Sequence, residues 1–150
     1  MDKRIREWCF GSFDGAYDGD LFMGLIPRIF NVDHVHQLSY AELAEGLVEV
    51  DTAGWAEGWE KLSGRIKEGF EAIAKEMEEQ GGGNALVVSH GMTIGTIVYL
   101  INGMHPHGLD NGSVTILEYE DGQFSVEVVG DRSYRELGRE KMEEASIKSV

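Results

Sequence analysis

Hydrophobic residues recur every three or four positions between Trp55 and Gln80, with Lys and Glu between them. Apolar residues at this spacing form one face of an α-helix. That face consists of Trp59, Leu62, Ile66, Phe70, Ile73, Ala74 and Met77. Three glycines at 81–83 end the pattern, as glycine commonly does just beyond a helix. The sequence therefore predicts one long amphipathic helix.

A short apolar run, NALVVS at 84–89, follows the glycines and predicts a strand that is buried on both faces. Such strands are typical of mainly parallel sheets. His90 and Gly91 come directly after it, and MTIGTIVYLIN at 92–102 then predicts about three turns of apolar helix. Gly103 ends that helix.

Two β-rich runs flank Asp121 and Gly122 in SVTILEYEDGQFSVEVV. Asp-Gly suits the tight turns of hairpins, so the pattern predicts two antiparallel strands here and a charged helix after them. Residues 16–54 have no clean period, and we interpret them as a lid-like excursion with short helices. The order helix, strand, helix, hairpin indicates an α/β fold, which we expect to form a single domain over residues 1–150.

Charge and composition exclude several classes of partner. The formal net charge of −14 repels nucleic acid and anionic lipid, and no apolar run approaches the roughly 20 residues that span a bilayer. The N-terminus has no apolar stretch of a signal peptide, so we expect a cytoplasmic protein. Its one cysteine, Cys9, is interpreted as a buried, inert thiol.

His90 is the first candidate for chemistry. Ligands of α/β sheets bind beyond the carboxyl ends of the strands, where His90 is expected to lie. The free N–H groups of a first helical turn attract anions. We therefore predict a phosphate-binding site formed by His90, Gly91 and Met92, with a capping or core histidine as the alternative.

Three segments carry a resemblance to a known family. ALVVSHGMTIGTIVYLI at 85–101 resembles the second histidine motif of the histidine phosphatase superfamily, the phosphoglycerate mutase-like proteins. LDNGSVTILEYEDGQFSV resembles the segment that follows this motif. IREWCFGSFDGAY at 5–17 resembles the family's stretch of a Glu followed by Phe-Gly. The resemblance implies a three-layer α/β fold with a mainly parallel sheet flanked by helices.

The resemblance also implies two catalytic residues. Glu7 matches the carboxylate that protonates the leaving oxygen, and His90 matches the second histidine, which helps to hold the phosphoryl group. A leaving alkoxide needs a proton, and the phosphoryl oxygens need fixed donors. The implied reaction is phosphoryl transfer through a phosphohistidine without a cofactor, on a phosphorylated small molecule or inorganic phosphate. Mutase and phosphatase activities both fit this scheme.

One family motif has no counterpart. Family members begin with a strand ending in Arg-His-Gly, whose histidine takes the phosphoryl group, and the 150 residues contain no such tripeptide. We therefore expect the first strand to be missing and the chain to be inactive alone. The alternative is a non-catalytic binding or scaffold module that retains an anion site at His90. Loss of that strand would leave a sheet edge open, and we expect a homodimer or a larger closed assembly.

The remaining cationic and metal-ligating residues are given structural roles. Two histidines two positions apart need a third ligand to hold a metal, and no third ligand can be placed, so we expect no metal site. These histidines are His34 with His36, and His105 with His107, the latter two expected in a solvated loop. Arg4 and Arg6 lie beside Glu7, but the family does not bind phosphate from those positions.

Overall fold

The computed structural model describes residues 2–106 and 109–147. Its helices are α1 (Asp18–Asp20), α2 (Ile26–Phe30), α3 (Tyr40–Val50), α4 (Trp59–Glu79), α5 (Gly91–Asn102) and α6 (Ser133–Ile147). Its strands are β1 (Val114–Glu120) and β2 (Gln123–Asp131). A π turn at Leu21–Leu25 joins α1 to α2, and short 3-10 turns lie at Lys3–Ile5, Gly11–Phe13 and Val35–Gln37.

The predicted amphipathic helix is α4, and it forms the centre of the core. Its buried residues are Leu62, Ile66, Gly69, Phe70 and Ala74, all from the apolar face read in the sequence or beside it. The side chains of Leu62 and Ile66 are fully buried, which is worth roughly 1.5–3 kcal/mol for a large apolar side chain. Helices α3 and α5 and the N-terminal turn pack against α4.

The predicted hairpin is confirmed. Strands β1 and β2 pair antiparallel around Asp121 and Gly122, whose φ angles are 52° and 79°. Positive φ at both central residues is the conformation that matches the right-handed twist of hairpin strands. Leu117 and Phe124 from the hairpin pack against the core, so the two strands cover one side of α5.

The α/β class is confirmed, but the sheet of the described residues differs from the expected parallel one. It has two strands, both from the hairpin. The expected parallel strand at 84–89 is not formed: in the structure this segment has no regular secondary structure and pairs with no strand among the described residues. Leu86 and Val88 are 92% and 85% exposed, whereas Val87 packs on the core.

The excursion at 16–54 consists of short helical pieces, as predicted. Leu21 and Ile26 are buried in the core, and Phe22 and Phe30 pack against it, so the apolar run LFMGLIPRIF is mainly core. Helix α3 is capped at its start by Ser39 and Glu42, which bond to each other's backbone N–H groups. The role of this excursion as a lid stays a prediction.

Candidate active site

Glu7 lies against the N-terminus of α5. Its Oε1 accepts hydrogen bonds from the backbone N–H of Trp8 at 3.0 Å and of Thr93 at 3.1 Å. Its Oε2 accepts a longer one from the N–H of Met92 at 3.4 Å. The structure therefore brings together two predicted site residues, Glu7 and Met92, that are 85 positions apart in the chain.

His90 is the residue that precedes α5, and its side chain is exposed and does not cap the helix. Its backbone is extended, with φ −121° and ψ 161°. The first N–H groups of a helix have no partner inside it, and they carry the positive end of the helix dipole. Glu7 satisfies two of them, so a carboxylate from a distant part of the chain takes the place of a local cap.

Hydroxyl groups in α5 and just before it bind the Glu7 segment. Thr93 Oγ1 donates to the carbonyl of Arg6 at 2.7 Å, and Ser89 Oγ donates to the carbonyl of Ile5 at 2.7 Å. Thr96 Oγ1 accepts from the Trp8 indole Nε1 at 3.0 Å and donates to the carbonyl of Met92. Sequence reasoning missed these residues, because a threonine inside an apolar helix gives no signal of what it faces.

A buried ion-pair cluster lies beside Glu7, and sequence reasoning missed it too. Glu57 is 3% exposed and accepts from the guanidinium groups of Arg6 and Arg65 with shortest distances of 2.6 Å to each. A buried carboxylate is costly unless it is paired and hydrogen-bonded, and Glu57 meets both conditions. The signal in the sequence was only a Glu and an Arg eight positions apart at the start of an amphipathic helix.

The charge state of Glu57 follows from these contacts. Burial acts to raise its pKa, but hydrogen bonds from Arg65 and then Arg6 outweigh burial and lower the pKa to about 2. Glu57 is therefore a carboxylate at neutral pH. The arginine that lies closest to Glu7 in sequence, Arg6, is held in this cluster, and Arg4 pairs with Asp2 and Glu68.

Aromatic side chains enclose the residues that follow Glu7. Trp8 is 4% exposed and meets Tyr40 of α3 edge-on, with ring centroids 5.7 Å apart. Phe10 meets Phe22 of the excursion in the same way at 5.9 Å. Burial, and to a smaller extent the charge of Glu7, raises the pKa of Tyr40 to about 12, so its phenol stays protonated. Trp55, by contrast, is 60% exposed.

His105, which follows α5, differs in burial from the prediction. His105 was expected in a solvated loop, but it is half-buried, with its ring centroid 4.8 Å from that of Tyr40 and 4.5 Å from that of Tyr99. The prediction for His105 is wrong because these aromatic rings offer an apolar surface that the local sequence does not reveal. His107 lies outside the described residues.

His34 and His36 are exposed at the 3-10 turn of the excursion. Within residues 2–106 and 109–147 no group of three or more His, Cys, Asp or Glu is placed to hold a metal ion. Burial raises the pKa of the Cys9 thiol, which lowers the fraction of reactive thiolate. No helix in the described part of the chain is both long and apolar enough to cross a membrane.

Comparison with known proteins identifies the family. The family model described as histidine phosphatase superfamily (branch 1) matches residues 26–132, which is more than half of the chain. The chain belongs to the histidine phosphatase superfamily. The matched residues of this superfamily include His90 and all of α5, whereas Glu7 lies before them.

A solved structure agrees with this assignment. The chain is similar to the crystal structure of phosphoglycerate mutase from Bacillus anthracis str. Sterne, with a TM-score of 0.79 and 35% sequence identity. The match covers 88% of this chain and 60% of that mutase, so the chain spans less than two thirds of its length. No curated protein matches the sequence.

Proposed function

We propose that this histidine phosphatase superfamily chain carries two groups of a phosphoryl-transfer site, with Glu7 as the acid and His90 as a phosphoryl-holding residue. The observation that carries the proposal is the position of the Glu7 carboxylate at the start of the helix that follows His90. Glu7 and His90, the two residues that the motifs name, thus both lie at the N-terminal end of α5.

The arrangement suits the chemistry of a phosphomonoester. The leaving oxygen needs a proton, which a carboxylic acid supplies, and the charge on the phosphoryl oxygens is stabilised by an imidazolium and by helix N–H groups. The substrate class is a phosphorylated small molecule. Mutase and phosphatase chemistry share these groups and remain alternatives.

The 150 residues contain no Arg-His-Gly, so the group that would accept the phosphoryl moiety is not among them. We expect the chain by itself to hydrolyse p-nitrophenyl phosphate no faster than a buffer blank, because loss of a nucleophile costs several orders of magnitude in rate. Enzyme-like turnover that is abolished by His90→Ala would contradict this expectation.

A chimera tests the roles of Glu7 and His90 directly. An N-terminal segment that ends in the superfamily's Arg-His-Gly motif is fused before residue 2 of this chain. We expect this fusion to hydrolyse phosphomonoesters and to lose most of its kcat with His90→Ala. Glu7→Gln should reduce kcat more for an alkyl phosphate than for p-nitrophenyl phosphate, since nitrophenolate leaves without a proton.

Glu78→Gln on the exposed side of α4 is the matched control and should leave kcat unchanged. A chimera that folds and turns over with Glu7→Gln at the same rate for both substrates would refute the role of Glu7 as the acid. A chimera that is indifferent to His90→Ala would refute the role of His90.

The second candidate function is an anion-binding module, and the start of α5 supports it, because the His90 side chain does not cap the first N–H groups of that helix. In the structure, the Met92 N–H already donates to Glu7, so phosphate must compete with that carboxylate. We therefore propose weak phosphate binding at His90, Gly91 and Met92. Glu7→Gln should strengthen it by removing a negative charge.

Titration with inorganic phosphate, followed by NMR at residues 89–93, tests the anion site. Movement of these resonances in the wild-type chain, and at lower phosphate concentration in Glu7→Gln, supports the binding module. If no resonance in this segment moves in either protein, the anion site is absent.

A further inference from the structure

The guanidinium group of Arg65 uses all five of its N–H donors. Nε and Nη2 donate to the two oxygens of Glu57 at 2.9 and 2.6 Å. Nη1 donates to the carbonyls of Arg4 and Arg6 at 2.7 and 3.0 Å, and Nη2 also donates to the carbonyl of Glu7 at 2.9 Å. Three of the five acceptors are therefore backbone oxygens of the segment that ends at Glu7.

Glu57 holds the chain on the other side of Glu7. Its backbone N–H donates to the carbonyl of Cys9 at 3.0 Å, and its Oε2 accepts from the N–H of Cys9 at 3.2 Å. Arg6 adds a further donor to the carbonyl of Glu7 at 2.9 Å. The backbone is thus fixed both before and after Glu7 by one ion pair.

Arg65 makes more hydrogen bonds than the neutralisation of Glu57 requires. An arginine that only neutralised Glu57 would need two donors, and the other three donate to the carbonyls of Arg4, Arg6 and Glu7. The carboxylate of Glu7 then reaches the N–H groups of Met92 and Thr93, which belong to another helix. A displacement of the backbone by 1 Å would break these bonds, since one of them is already 3.4 Å long.

We infer that Arg65 and Glu57 are positioning residues, which hold the backbone of residues 4–9 so that the Glu7 carboxylate stays at the N-terminus of α5. The importance of that position for chemistry rests on the proposed role of Glu7. The position of the Glu7 carboxylate does not depend on that role, and the following test measures this position without an activity assay.

The experiment measures how strongly Glu7 influences the amides of Met92 and Thr93 in the full chain. Glu7→Gln changes their ¹H and ¹⁵N chemical shifts in the wild-type background, because it alters the hydrogen-bond acceptor. The same substitution is then made in an Arg65→Lys background. Lysine keeps the positive charge, but its ammonium group has three donors, whereas the planar guanidinium has five. Lysine therefore cannot bind three carbonyls and a carboxylate at the same time.

We expect the shift changes caused by Glu7→Gln at Met92 and Thr93 to fall by at least half in the Arg65→Lys background. Arg132→Lys is the matched control, since Arg132 pairs with Asp110 at the surface and makes no bond to the Glu7 segment among the described contacts. It should leave the shift changes caused by Glu7→Gln intact. Glu57→Gln is the second variant, which keeps the size of the side chain and should also reduce them.

Unchanged shift differences in Arg65→Lys and Glu57→Gln, with only a lower urea midpoint, would overturn the inference in favour of a purely stabilising ion pair. Loss of the helical circular dichroism signal in both variants would overturn it as well, because the cluster would then be needed for the fold as a whole. Failure of the chimera experiment alone would refute the catalytic role of Glu7 but leave its positioning by Arg65 untouched.

Discussion

At the scale of single residues, Gly11 is required by its surroundings. Its φ is +66°, which is strained for any residue with a Cβ, and the carboxylate of Asp51 lies where that Cβ would be. Asp51 in turn accepts from the backbone N–H groups of Ser12, Ala53, Trp55 and Ala56. Burial acts to raise the pKa of Asp51, but these N–H groups outweigh it and hold the pKa well below its ordinary value.

Gly11→Ala is expected to destabilise the protein more than Gly15→Ala. Gly15 also has a positive φ, of +85°, but has no atom within 4 Å of its would-be Cβ. Its substitution therefore carries only backbone strain, about 1–2 kcal/mol. Gly11→Ala adds displacement of Asp51, and we expect at least twice that loss in urea unfolding. Equal losses for the two variants would show that Asp51 moves aside freely.

At the scale of elements, the pattern of apolar residues predicted α4, α5 and the hairpin, because each depends on local periodicity or on a turn residue. The partners of those elements were not predictable in the same way. Glu7 reaches Met92 across 85 positions, and Glu57 meets Arg6 across 51, so both contacts exist only after tertiary packing. The resemblance supplied Glu7 and His90, but no motif pointed to Arg65.

The segment at 84–89 shows the limit of pattern reasoning in another way. Its composition indicates a strand with two apolar faces, but in the structure it forms no regular secondary structure. A strand becomes part of a sheet only when a neighbour accepts its hydrogen bonds, which composition cannot supply. In the described residues that neighbour is missing, and Leu86 and Val88 face outward.

The contact between the N-terminal segment and α4 predicts a loss of stability in acid. The folded-state pKa of Glu57 is about 2, below its ordinary value of 4.5. A lowered pKa contributes stability that is fully present above about pH 4.5 and is lost as the pH falls towards 2. The free energy of unfolding should therefore decrease between pH 6 and pH 3.

Glu57→Gln should lower the free energy of unfolding at pH 6 by about 1–3 kcal/mol, because it leaves the largely buried Arg65 guanidinium without its charge partner, whereas Arg6 is 44% exposed and keeps contact with water. It should also reduce the difference between urea unfolding at pH 6 and at pH 3. Glu118→Gln, at an exposed position of β1, is the control and should keep the wild-type difference. If the free energy of unfolding of Glu57→Gln depends on pH as strongly as that of the wild type, carboxylates other than Glu57 cause the loss of stability in acid.

At the scale of the whole molecule, charge and exposed apolar surface are unevenly distributed. The formal net charge is −14, yet no Asp, Glu, Lys or Arg occurs between positions 80 and 109. This uncharged stretch contains the segment 84–89 with its exposed Leu86 and Val88. Repulsion between two copies is therefore weakest where the backbone offers unpaired N–H and C=O groups.

We expect two copies of the 150-residue chain to pair along 84–89 as a homodimer. Val87 packs on the core, and Ser89 bonds to the carbonyl of Ile5. The side of the segment that carries Leu86 and Val88 therefore remains for a partner chain. Sedimentation equilibrium at micromolar concentration should give twice the mass of 16.6 kDa.

Val88→Lys should shift the equilibrium to the monomer, because it buries a charge at the contact without disturbing the side of the segment that faces the core. Met23→Lys, at an equally exposed apolar position of the excursion, is the control and should leave the dimer intact. A wild-type chain of monomeric mass with one sharp thermal transition would show that this edge is stable in water without a partner.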